Sequence, residues 1–269
     1  MLRQLSQTTR MLAVAATFAV PGVVLAQADN RPVVVVFRFD NNSIGAGKAD
    51  FDGMATGVQD LLITDLASNA KIRLVDRAHL NEVMSEQNLS RTGAVDPTTA
   101  VRLGKLLGAQ YAITGGFMSD GKGSAVLTGR SIDIETSQIA NPQKIQGKTD
   151  NVLGLIADLS SKVSSNMNLA PKPGAARRGE TGGEAQKGAA QSGAATKTAT
   201  APAETFAKAP SNPAALHAVK LDVATMKIYS AALDEMDKKN TAQAKKLFKQ
   251  VLDKFPGFEP AQRNYDKLA

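Results

Sequence analysis

The spacing of hydrophobic positions changes several times along this chain, and each change marks an element. Residues 33–37 (VVVVF) are a short, wholly apolar run, the pattern of a strand buried on both faces. From Asp50 to Asn69 the residues Phe51, Met54, Val58, Leu61, Leu62 and Leu66 fall on one helical stripe, so a single helix is expected there. Residues 71–75 (KIRLV) predict a second strand with Ile72 and Leu74 on one face. Asp76 is placed to cap a helix over Arg77–Gln87, where Leu80, Val83 and Met84 share a side. Asp96-Pro97 opens the next helix: Asp suits the cap, and Pro at the first helical position lacks only an N–H that would be unpaired anyway. That helix carries Val101, Leu103, Leu106 and Leu107 and stops at Gly108.

Sheet returns at residues 109–114 (AQYAIT). Residues 125–139 alternate late on, with Ile132 and Ile134 opposite Asp133 and Glu135. A turn is expected over Glu135–Gln138, and residues 139–147 come back as a partner strand. A closing helix starts at Asp150 with Val152, Leu153, Ile156, Leu159 and Val163. The order βα-βα-α-β-ββ-α predicts an α/β domain over residues 31–169, a mixed sheet with flanking helices.

Two further segments break this pattern. Residues 170–213 are dominated by Ala, Gly, Thr, Ser, Pro, Lys and Glu and hold one large apolar residue, Phe206. Such a composition cannot bury enough surface to offset its ordering entropy, so a disordered linker is expected. Residues 214–269 regain helical periodicity and predict a small α-helical module. At the other end, Arg3 and Arg10 precede the apolar run of residues 11–20, and Pro21-Gly22 interrupts it. Small residues then end the segment at Ala26 and Ala28. This is the form of a secretory signal peptide over residues 1–28, with cleavage expected after Ala26 or Ala28. The break at Pro21 argues against a membrane-spanning helix, which needs about 20 uninterrupted apolar residues.

Composition narrows the chemistry. The chain has no cysteine, which excludes disulfides, thiol catalysis, Cys-ligated metal and lipid attachment at a signal cysteine. Its two histidines, His79 and His217, fall in different regions, so a His-based triad or zinc site is poorly supplied. The net charge is +7, yet residues 31–169 hold fourteen Lys+Arg against fourteen Asp+Glu. The excess lies in the linker (six against three) and the carboxy-terminal module (ten against seven). Nucleic-acid binders focus their charge, and there is no Trp for stacking, so nucleic acid is not an expected partner.

Three motifs carry candidate chemistry. Residues 42–49 (NSIGAGKA) stand between a strand and a helix, as a phosphate-binding loop does. Asn42 replaces the first Gly, however, and Ala49 the hydroxyl that would hold magnesium. A loop without nucleotide is the better reading. Asp50, Asp52, Asp60 and Asp65 suggest an acidic group, but Asp52 and Asp60 lie off the apolar stripe and are expected on a solvated face. Glu82 and Glu86 are four apart on one helix face, with Arg77 one turn before. Arg77, Glu82 and Glu86 are therefore the candidate interaction face, unless they are an ordinary solvated cluster. No nucleophile–base–orienter set can be assembled, and no catalytic, cofactor-binding or metal-binding residues are assigned.

Residues 74–77 (LVDR), 82–90 (EVMSEQNLS), Gly93, Asp96 and 103–115 (LGKLLGAQYAITG) occur in an order and spacing that resemble the CsgG family of curli secretion channels and related envelope lipoproteins. Residues 33–42 and 130–136 extend the resemblance, which covers about 31–167. It implies a periplasmic α/β core fold and a non-enzymatic role in secretion or cell-envelope biogenesis. Implied partners are other envelope proteins or further copies of the chain, with outer-membrane association through those partners. Three departures limit it. There is no cysteine to lipidate. Residues 115–124 and 139–147 leave no room for membrane-crossing hairpins, whose strands need about 9–11 residues each. Ser137 stands where a Gly usually follows the Asp-x-x-Thr turn. A secretion pore built without such hairpins is a third reading. In the carboxy-terminal module, Ala244, Phe248, Val251 and Pro256 resemble the second helix of one tetratricopeptide repeat, a protein-binding unit. The competing class is a periplasmic α/β hydrolase or ligand-binding enzyme.

Overall fold

Four consecutive valines form β1 (Val33–Val36), and the sheet grows around them. Val34 and Val36 enter the apolar core on one side of the sheet, while Val33 and Val35, joined by Phe37, enter the core on the other. A strand with no solvent face has no reason to alternate. The computed structural model describes residues 29–87, 89, 95–166, 206–207, 210 and 219–268. The signal segment with Ala26 and Ala28, His217 and most of the linker lie outside the described residues.

The remaining strands are β2 (Asp40–Asn41), β3 (Arg73–Leu74), β4 (Tyr111–Ser119), β5 (Ser124–Asp133) and β6 (Ile139–Lys148). The order is β3-β1-β4-β5-β6, with β2 continuing beside β4. β3, β1, β2 and β4 pair in parallel; β4–β5 and β5–β6 pair antiparallel, with a bulge at Gly129/Ser131. This mixed sheet flanked by helices is the expected α/β class. The segments that are too short for membrane hairpins are strands of this sheet, joined by tight turns. In the second turn Asp133 Oδ1 accepts from the Glu135 and Thr136 amides, each at 3.0 Å, and Ser137 adopts φ +60°.

The expected helix over 50–69 is two helices, α1 (Ala46–Phe51) and α2 (Ala55–Leu66). Gly53, at φ +81°, turns the chain between them; an L side chain rarely adopts that conformation. The apolar stripe runs through the break because Phe51 and Met54 both reach the core. α3 (Arg77–Glu86) and α4 (Pro97–Leu106) start where their caps predict: Asp76 accepts from Ala78 N, and Asp96 from Thr98 N and Thr99 N. A 3-10 turn (Thr149–Asn151) leads into α5 (Val152–Asn166).

Three helices form the carboxy-terminal module: α6 (Val223–Asp237), α7 (Thr241–Lys254) and α8 (Glu259–Asp266). Tyr229 packs edge-on to Phe248 and Phe258, with ring centroids 5.9 and 5.2 Å apart. The module does not hang free: its apolar residues belong to the same core cluster as α2, α5 and one sheet face. α3 and α4 cover the opposite face. The linker is also anchored at one point. Phe206 bridges Val75, Ala207 N donates to Leu74 O at 2.8 Å, and the Arg73 guanidinium stands 4.6 Å from the Phe206 ring. These two residues close the β3 edge, so at this point the expectation of an unstructured linker gives way to a docked segment.

Candidate functional site

Arg77 is the first residue of α3, and its side chain is only 4% exposed. It points away from Glu82 and Glu86, which are exposed. Arg77 is thus buried against its neighbours, while Glu82 and Glu86 stay on the surface. A helix-start residue faces the neighbouring α2 and α6 rather than the outer side of its own helix. His79 stays near the surface, with Nδ1 3.6 Å from Glu82 Oε2.

Arg77 Nε donates to Asp60 Oδ1 at 3.2 Å, and Nη1 donates to Asp237 Oδ2. Asp60 projects from α2 and Asp237 ends α6, so one guanidinium joins core and module. Asp60 is not on a solvated face, as its position off the apolar stripe implied. Its Oδ2 accepts the Tyr229 hydroxyl at 2.6 Å, and Asn264 Nδ2 donates to that hydroxyl at 3.3 Å. Asn81 Nδ2 donates to Asp237 Oδ2 at 2.8 Å. Around this centre, Thr56 Oγ1 donates to Asp234 Oδ1 at 2.6 Å, Arg38 lies 3.7 Å from the same carboxylate, and Arg263 Nη2 donates to Thr64 Oγ1 at 2.9 Å.

The electrostatics follow from burial. Burial opposes the Arg77 charge, but Asp60 and Asp237 overcome it and raise its pKa above the ordinary value. Burial raises the Asp237 carboxyl, with the attraction of Arg77 as a partial offset. Burial, then the Asp60 charge, hold the Tyr229 hydroxyl well above its usual pKa, so it is a donor at any physiological pH. These shifts serve packing between modules. Sequence inspection missed Asp237 and Tyr229, yet a signal exists. Met226, Tyr229, Ser230, Leu233, Asp234 and Asp237 follow the i, i+3, i+4, i+7, i+8, i+11 spacing of one helix face, so the two acids continue an apolar stripe.

A close approach completes the contact. A Cβ on Gly57 would stand 2.9 Å from Met226 Cε and 3.2 Å from Ser230 Cβ. Gly57 N, in the first turn of α2, donates to Ser230 Oγ at 3.0 Å. That N–H has no helical carbonyl to bond, so a side chain of α6 satisfies it. Elsewhere, a solvent-open depression of about 500 Å³ is lined by Lys148, Asp150, Asn151, Asp158 and Lys220 among others, with no nucleophile or imidazole. Among the described residues no group of three or more His, Cys, Asp or Glu could hold a metal ion, and no helix is long and apolar enough to cross a membrane.

A mixed-sheet α/β domain carrying a docked helical module defines the class. Residues 18–123 match the family described as curli production assembly/transport component CsgG. Among solved structures, the LpoB C-terminal domain from Salmonella enterica is 19% identical, with 44% of this chain and 83% of that one covered at a TM-score of 0.33. Lipoprotein GNA1162 from Neisseria meningitidis is 14% identical, covering 51% and 98%, TM-score 0.37. The PelC dodecamer from Paraburkholderia phytofirmans is 15% identical, covering 52% and 91%, TM-score 0.31. No curated protein matches the chain.

Proposed function

We propose that this chain is an exported, non-enzymatic component of the cell envelope that binds other envelope proteins during secretion or envelope assembly. The observation that carries this reading is the Arg77 cluster. The most strongly perturbed buried groups among the described residues are bonded to one another across the contact between core and module. Enzymes concentrate such shifts where substrate enters. The CsgG match supports the envelope setting.

The carboxy-terminal module fits a single tetratricopeptide-like hairpin with a following helix. Ala244, Phe248 and Val251 form the buried stripe of α7, and α8 covers the end of the pair. One such unit cannot bury both faces of its helices, and here the core domain supplies the missing layer. Core and module together then present one composite surface, on which Glu82 and Glu86 remain candidate contact residues. Photo-crosslinkers placed at Glu82, Glu86 and Lys246 in cells should capture envelope proteins. Fractionation should recover the mature chain, starting near Gln27 or Asp29, from the periplasm. Full-length protein confined to the cytosol would contradict the proposal.

A further inference from the structure

The contact between module and core pairs a shared apolar cluster with a buried ionic one. The module's apolar residues share one buried cluster with the core, and the side-chain bonds laid over that packing are polar or ionic: Arg77 with Asp60 and Asp237, Tyr229 with Asp60, Thr56 with Asp234, Arg263 with Thr64, and Gly57 N with Ser230. Interfaces between units of one chain resemble transient protein–protein interfaces and permit relative motion unless they are large and hydrophobic. A buried ion cluster is close to neutral in net stability, because lost hydration offsets attraction. It becomes strongly unfavourable when one member is removed. The module also has an interior of its own, built from Tyr229, Leu233, Ala244, Phe248, Val251, Phe258 and Ala261.

We propose that the Arg77 cluster is an electrostatic latch. It sets a reversible docking equilibrium in which α6–α8 leave the core as a folded unit and uncover a helix-docking surface on α2. That surface consists of Thr56, Gly57, Asp60 and Thr64 with Arg77 beside them. Its resident occupant is the Met226–Asp237 face of α6, which sets Met226 and Ser230 against Gly57 and two acids toward Arg38 and Arg77. Charge decides the equilibrium: with the guanidinium in place both acids are matched, and without it Asp60 and Asp237 are like charges in a dry contact.

The Gly57 amide is a specific reporter of docking, because the bond to Ser230 belongs to the module and not to α2. The Phe248 amide reports folding of the module, and the Ile113 amide that of the sheet. Amide exchange by NMR on the full chain should show Arg77→Met speeding Gly57 at least tenfold while Phe248 and Ile113 stay within threefold of the native rates. The triple variant Arg77→Met/Asp60→Asn/Asp237→Asn, which removes all three charges, should return Gly57 to within threefold. Unchanged Gly57 exchange in the single variant would overturn the latch. Acceleration of Gly57 and Phe248 together would also overturn it, because the module would then unfold rather than undock. Failure of the triple variant to recover would assign the effect to packing instead of charge.

Discussion

Tyr229 illustrates how one side chain can serve two interiors. Its ring is the centre of the module, against Phe248 and Phe258, and its hydroxyl reaches across to Asp60 in the core. Tyr229→Phe keeps the ring and removes a donor to a buried carboxylate. The expected loss is about 1.5–3 kcal/mol, read as a lower urea midpoint with little change in slope. Ser137 offers the opposite case. It holds φ +60° in the turn set by Asp133, and Ser137→Gly should raise stability by about 1 kcal/mol by relieving the left-handed conformation. Asp222 caps α6 by accepting from Thr225 N at 2.8 Å, and the Thr225 hydroxyl, then its amide, draw the Asp222 pKa below the usual value of 3.8. A lowered carboxyl contributes stability above the unfolded pKa and loses it as pH falls through the folded one. The midpoint difference between the native chain and Asp222→Asn should therefore be largest near neutral pH and shrink below about pH 4. A difference independent of pH would assign the cap no ionic part.

Elements differ in how far the sequence announces them. β1, the Asp76 and Asp96 helix starts and the Glu135–Gln138 turn were legible because each rests on local chemistry: four valines, two capping carboxylates with Pro97, and an Asp that binds two following amides. The α1–α2 break was hidden by an apolar stripe that continues across it, although Gly53 marks the place. Docking of α6 was not legible from local pattern, since a polar residue beside an apolar stripe reads as solvated until its partner is known. Asp60 is the clearest instance; its partners Arg77 and Tyr229 lie 17 and 169 positions away. The same reason concealed the anchored linker. Phe206→Ala should remove the stack with Arg73 and the edge bridge to Val75. The expected loss is about 1 kcal/mol, with faster amide exchange at Ala207 and none at Ile113.

For the whole molecule, the charge is distributed unevenly along the chain. Residues 31–169 are balanced, and most of the excess positive charge lies in residues 170–269; within the module α7 carries four Lys against one Asp, while α6 and α8 are net negative. Core and module act as one body because a shared apolar cluster and the Arg77 cluster hold them in one register. The absence of cysteine makes this directly measurable, since introduced cysteines are the only thiols. Spin labels on Glu82→Cys and Lys246→Cys, both exposed, report the distance between α3 and α7 in the full-length chain. The account predicts one dominant, narrow distance in pulsed dipolar spectra. A broad distribution, as a freely tethered module would give, would contradict it.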